Sequence, residues 1–112
     1  MAQSITCFGE LLVDMIALNS GKLTEVDGFL KKFGGAPANT ASGLAKLGLP
    51  VNYICKVGAD PFGDFLKSGL KSYGVNISGV VTSPTGTTTL AFVSLTEKGE
   101  RDFFFIRGVH DK

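Results

Sequence analysis

The spacing of apolar and polar positions changes several times along the chain, and each change marks an element. Ile5-Thr6-Cys7-Phe8 is a short apolar run stopped by Gly9, and a second run from Leu11 to Leu18 carries Asp14 in its middle. Short runs bounded by glycine predict two strands separated by a kink. From Asn19 to Phe33 the residues are mixed, with turn points at Gly21 and Gly28, which suggests a hairpin more than a helix. Between Gly34 and Gly48 the spacing becomes helical: Ala41, Leu44, Ala45 and Gly48 share a face, Pro37 suits a first turn, and Gly48 suits the residue past the end. Val51 to Val57, set between Pro50 and Gly58, reads as a buried strand.

Asp60 is positioned to accept the N-terminal amide protons of a second helix that starts at Pro61. Phe62, Phe65, Leu66, Gly69, Leu70 and Tyr73 recur along it at helical spacings, and Gly74 ends it. Val75 to Val81 returns as an extended segment. Thr87 to Leu95 alternates, Thr96-Glu97-Lys98-Gly99-Glu100 turns with Gly99 free to take positive φ, and Arg101 to Arg107 pairs back as a β-hairpin. Right-handed crossover geometry makes Ile5 to Phe8 and Val51 to Val57 neighbours in a parallel sheet. The order predicts an α/β fold: a βαβα body plus a small second sheet built from two antiparallel inserts, at roughly 14–33 and 82–107, with a cleft between sheet and body.

Composition narrows the class. A chain of 112 residues that is 44% hydrophobic and 19% charged is one domain or a piece of one, not a disordered tail. Lysine and arginine number 11 against 10 acids, and they form no basic stripe, so no nucleic-acid partner is expected. The first twenty residues carry no lysine or arginine and include Glu10 and Asp14, so neither a signal peptide nor a membrane span is expected. Cys7 and Cys55 are too few for a disulfide scaffold; they read as buried reduced thiols in a cytoplasmic protein.

Candidate chemistry gathers in three places. Gly34-Gly35 leaves the backbone bare just before a helix whose free amides and positive dipole end favour hydroxyl or phosphate oxygens, although a plain turn into the helix uses the same residues. Asp14 is a carboxylate inside an apolar strand, which must face water, a partner or a ligand. Asn39 places a carboxamide in a helix of small residues, either as a cap or as a ligand group. Together they hold what a polyol needs, and Arg107, at the root of the hairpin, is placed to reach back over the cleft. Neither a G-x-x-x-x-G-K-[ST] loop nor a G-x-G-x-x-G fingerprint is present. His110 is the single histidine, so a zinc site or a serine triad has nothing to rest on.

Phe8-Gly9-Glu10-Leu11-Leu12-Val13-Asp14, Gly34-Gly35-Ala36-Pro37-Ala38-Asn39-Thr40-Ala41, Val57-Gly58-Ala59-Asp60-Pro61-Phe62-Gly63, Thr88 to Val93 and Phe104-Phe105-Ile106-Arg107 occur in this order. The chain resembles the N-terminal third of the ribokinase-like sugar kinases, the PfkB family, and most closely the fructokinases. The resemblance implies a partial ribokinase-like fold, with a three-layer body and an antiparallel lid. It also implies transfer of the γ-phosphoryl group of ATP, with Mg2+, to a sugar hydroxymethyl. Asp14, Gly34, Gly35 and Asn39 are similar to positions that hold the sugar, and Arg107 is similar to an arginine that reaches the substrate from the lid.

The family's catalytic base is an aspartate in a G-A-G-D segment near the C-terminal end, which this sequence lacks. Gly58-Ala59-Asp60 is superficially similar, but Pro61 marks Asp60 as a helix cap. No catalytic residue is therefore expected here; the nucleotide-binding and catalytic half is expected to be absent, and the chain alone to be inactive. Ala36-Pro37 is similar to fructokinases, whereas ribokinases usually carry a lysine there. Fructose leads, with 2-keto-3-deoxygluconate and other keto sugars open. The alternative is a non-catalytic sugar-binding or dimerisation module, with Phe92, Phe103 and Phe105 making one side of the lid apolar and a homodimer forming through it.

Overall fold

A computed structural model describes residues 4–108. The elements run β1 (Ile5–Phe8), β2 (Leu12–Ala17), β3 (Phe29–Gly34), α1 (Ala36–Lys46), β4 (Val51–Gly58), α2 (Pro61–Ser72), β5 (Asn76–Ser83), β6 (Leu90–Leu95) and β7 (Arg101–Ile106). They form two sheets, a parallel one in the order β1-β4-β5 and a mixed one in the order β3-β2-β6-β7. The two opening apolar runs therefore belong to different sheets. Gly9, at φ 142°, makes the break between them.

In the parallel sheet Ile5 pairs with Val51 and Cys7 with Tyr53, so alternate residues of both strands point the same way. That side holds Val51, Tyr53, Val57 and Val80, and the apolar stripes of both helices cover it: Ala38 and Ala41 from α1, Leu66 and Leu70 from α2. The opposite side of the sheet leaves Phe8 73%, Ile54 51% and Val81 56% exposed. Both crossovers turn the same way, so both helices lie on one face; of the three expected layers, the described residues supply two.

The second sheet carries the two predicted inserts. β2 and β3 pair antiparallel, as do β6 and β7, and the two hairpins join through the parallel pair β2–β6. Gly99 takes φ 82° in the turn, which Thr96 closes by accepting the Gly99 amide on its carbonyl and the Glu100 amide on its hydroxyl. Register corrects one expectation. Phe92 pairs with Phe104 and Val93 with Phe103, so Phe92 lies on one face while Phe103 and Phe105 lie on the other. The turn length fixes this phase, and a shift of one residue would reverse it. Phe92 packs edge-on against Phe29, with centroids 5.1 Å apart, and Phe103 stacks on Phe105 at 6.4 Å. No helix among the described residues is long and apolar enough to cross a membrane.

Candidate functional site

The site is built where the chain passes between the two sheets. Leu12 pairs with Gly34, and Asp14 lies two residues further along β2 on the same face. A Cβ on Gly34 would run into the Asp14 carboxyl group, 2.7 Å from its Cγ, so only glycine lets the carboxylate lie across β3. Gly35 follows at φ 100°, and a Cβ there would collide with the Glu10 carbonyl oxygen. Gly35 is also the N-cap of α1, and no side chain caps the helix. The first turn therefore has no side-chain acceptor for its amides, and Pro37 contributes none. The first intrahelical bond runs from the Asn39 N–H to the Gly35 carbonyl at 3.1 Å.

Burial pushes the Asp14 carboxyl above the ordinary aspartate value. Its face opens on a groove of about 520 Å³ with Ile16, Val93, Leu95, Arg101 and Phe103 on its walls. Asn39 is exposed and lines a separate hollow with Lys31, Phe33, Phe65 and Tyr73. The sequence reading gathers Asp14 and Asn39 around one ligand; in the structure each borders its own hollow, while Asp14, Gly34 and Gly35 stand together.

Arg107 does reach back, and it finds Glu10. Its Nη1 lies 3.4 Å from Glu10 Oε1, and its guanidinium sits 4.9 Å above the Phe105 ring. His110 lies outside the described residues. Among the described residues no group of three or more histidine, cysteine or carboxylate side chains is placed to hold a metal ion.

Sequence reasoning found Asp60 as a cap but missed its second task. Oδ1 accepts from the Gly63 amide at 2.7 Å, as a cap should, and also from the Thr88 hydroxyl at 2.7 Å; Oδ2 accepts from the Thr88 amide at 2.9 Å. Thr88 Oγ1 in turn accepts from the Gly58 amide, and Thr89 Oγ1 from the Gly108 amide, both at 3.0 Å. Burial alone would raise the Asp60 carboxyl, but the hydrogen bonds from Thr88, Gly63 and Phe62 outweigh it and hold it below the ordinary value. The signal in the sequence was the Thr87-Thr88-Thr89 run, whose hydroxyls fill a place where apolar residues would be expected.

Cys7 and Cys55 are free and part-buried, somewhat more open than expected. Burial pushes the Cys55 thiol up to about 12, which removes it from thiolate chemistry. Burial likewise raises Tyr53, whose hydroxyl has only long contacts, of 3.4 and 3.5 Å, with the Gly9 and Glu10 carbonyls.

Residues 2–112 match the model of the pfkB family carbohydrate kinases. The chloroplastic "probable fructokinase-6" of Arabidopsis thaliana is 47% identical over 92% of this chain and 27% of its own length. The fructokinase of Solanum tuberosum is 44% identical over 92% of this chain and 33% of its own. Among solved structures, fructokinase from Xylella fastidiosa superposes with a TM-score of 0.85 at 44% identity, covering 96% of this chain and 33% of that one. An uncharacterized sugar kinase from Pyrococcus horikoshii in complex with ATP superposes equally well, at 0.85 and 39% identity, over 91% of this chain and 33% of its own. The chain thus spans about a third of these relatives, and within that span it belongs to the pfkB family of carbohydrate kinases.

Proposed function

We propose that the chain is the sugar-binding part of an ATP-dependent carbohydrate kinase of fructokinase type, which phosphorylates a sugar hydroxymethyl. The observation that carries this reading is the Asp14 carboxylate lying across Gly34, beside the uncapped start of α1. A sugar brings adjacent hydroxyls, each both donor and acceptor. Asp14 accepts from one, a first-turn amide of α1 donates to the next, and Gly35 lets the ring approach the backbone. Arg107 holds the far side from the root of β7, and Asn39, one turn into α1, supplies a carboxamide once its side chain turns toward Gly35. The second sheet acts as the lid, positioning the sugar and shedding water from it.

Among the described residues no three carboxylate, histidine or cysteine side chains come together to hold Mg2+, and the sequence carries no phosphate loop. On this reading Mg2+ and ATP belong, with the catalytic base, to parts of the protein outside these residues. Fructose leads among substrates because Ala36-Pro37 puts no charge beside Gly35. Free thiols at Cys7 and Cys55 suit the reducing cytoplasm.

Titrating the 112-residue chain with fructose while following the amides of Gly34 and Gly35 by NMR tests the site. Saturable shifts that vanish in Asp14→Asn are expected; equal responses in the two proteins, or none in either, would remove the reading. The pure chain is also expected to make no sugar phosphate from fructose and ATP. Product formation would overturn the placement of base and nucleotide elsewhere.

The reading as a self-associating module is favoured by one observation, the exposed Phe103, Phe104, Phe105 and Ile106 on the edge strand β7. A homodimer through the lid follows, and light scattering that finds only monomer at high concentration would exclude it.

A further inference from the structure

The Glu10–Arg107 pair adds little to the stability of the fold, and its position gives it another role. The two residues are 97 apart in sequence, one on the link between β1 and β2, the other just past β7, so the pair bridges the body and the second sheet. The side chains of Arg107 and Glu10 are 51% and 37% exposed, and water screens an ion pair so exposed. The Glu10 carbonyl packs against Gly35, next to the glycine that the Asp14 carboxylate lies across, so the Glu10 side chain leaves the chain beside the proposed sugar site. Phe105, stacked on Phe103, supports the guanidinium from the other side. It is the only ion pair among the described residues.

A guanidinium has five N–H donors, and Glu10 occupies one of them in this geometry. A neutral polyol can use the others without moving Glu10. A phosphorylated sugar would bring a dianion up against the Glu10 carboxylate, and the charge it seeks on Arg107 is already matched.

We propose that Glu10 is a specificity-determining residue, which pairs with Arg107 to cancel the cation at the rim of the sugar site and so admits neutral sugars and rejects sugar phosphates. The inference rests on the sugar-site reading but is separable from it. Glu10→Gln keeps the size and an acceptor for Arg107 and removes only the charge.

The experiment follows the Arg107 Nε–H resonance of the 112-residue chain by NMR, with fructose and, separately, inorganic phosphate as probes. Wild type is expected to respond to fructose and scarcely to phosphate. Glu10→Gln is expected to bind phosphate roughly tenfold more tightly at Arg107, the scale of one like-charge contact near a surface, and fructose within about twofold. Arg107→Met in the Glu10→Gln background should abolish the gain. Unchanged phosphate binding in Glu10→Gln, with an amide spectrum that superposes on wild type, overturns the inference; Glu10→Ala provides the same test if Gln disturbs the spectrum. A phosphate gain with no fructose response in either protein supports the charge filter and sinks the sugar reading.

Discussion

Asp14 and Asp60 are both aspartates at the junction between the body and the second sheet, and the structure treats them in opposite ways. Asp60 accepts from Gly63 and twice from Thr88, and these bonds lower its pKa. The Asp14 carboxylate accepts no hydrogen bond among the described residues, and burial raises its pKa. The surroundings follow the same division. Around Asp60 the glycines are wedged against protein: a Cβ on Gly58 would lie 2.6 Å from Asp60 Oδ2 and from the Thr88 amide, and one on Gly108 would strike the Thr87 carbonyl. Around Asp14 the glycines are packed as closely, Gly34 under the carboxylate and Gly35 against the Glu10 carbonyl, but the carboxylate itself borders an open groove. A carboxylate whose acceptor capacity is filled internally ties segments together, and one left with spare capacity is equipped for a ligand.

Breaking the Asp60 side of this contrast should have the largest effect. Asp60→Ala removes a helix cap and both bonds to Thr88 and leaves the Thr88 groups without their acceptor. The expected loss is about 2 to 3 kcal/mol of unfolding free energy by denaturant titration, with the root of β6 losing amide protection. Asp60→Asn should recover part of this, since it keeps one acceptor oxygen. An Asp60→Ala chain as stable as wild type would show that the junction is held by packing alone.

Asp14→Asn should do the reverse. Fructose affinity is expected to fall tenfold or more, the scale of one lost charged hydrogen bond, while stability at neutral pH stays level or rises slightly because a partly buried charge has gone. A stability loss as large as that of Asp60→Ala would erase the distinction between the two aspartates. Asn39→Ala should lower fructose affinity by less than Asp14→Asn, and not alter stability, since the exposed side chain borders a different hollow. A loss equal to that of Asp14→Asn would mean that the carboxamide turns fully into the sugar site on binding.

Much of this junction is legible in the sequence. The Asp60-Pro61 start and Gly74 end of α2, the Pro37 and Gly48 limits of α1, the hairpin turn at Gly99 and the two-sheet division all follow from local signals, because caps, prolines and positive-φ glycines act within a few residues. What escaped depends on distant partners. Thr88 meets Asp60 across 28 residues and Arg107 meets Glu10 across 97, and nothing in either local pattern names the other. The face of Phe92 escaped for a different reason. Alternation gives the period of each strand but not the phase between two strands, which the turn sets. Asp14 and the glycines were legible as a group because each is out of place in its own element; Asn39 was legible as unusual, but the direction of its side chain was not.

The smallest expected effect is on the pH dependence of stability, and it separates the aspartates by sign. Asp60 has a lowered pKa in the folded state, so its contribution is present above the unfolded aspartate value and is lost as pH falls through the folded one. Asp14 has a raised pKa, so the folded state holds that proton more tightly than the unfolded chain; its contribution is present below the unfolded value and declines as pH rises through the folded one. Comparing wild type with Asp60→Asn should show the variant less sensitive to acid, and comparing it with Asp14→Asn should show the variant losing less stability as pH climbs out of the acidic range. Fructose affinity should also fall away, on acidification, at a higher pH than an ordinary aspartate would give, because only the ionised Asp14 accepts from a hydroxyl without competing for its own proton. If both variants shifted the stability curve in the same direction, the two carboxylates would share one environment, and the division between a structural and a ligand-facing aspartate would have to be abandoned.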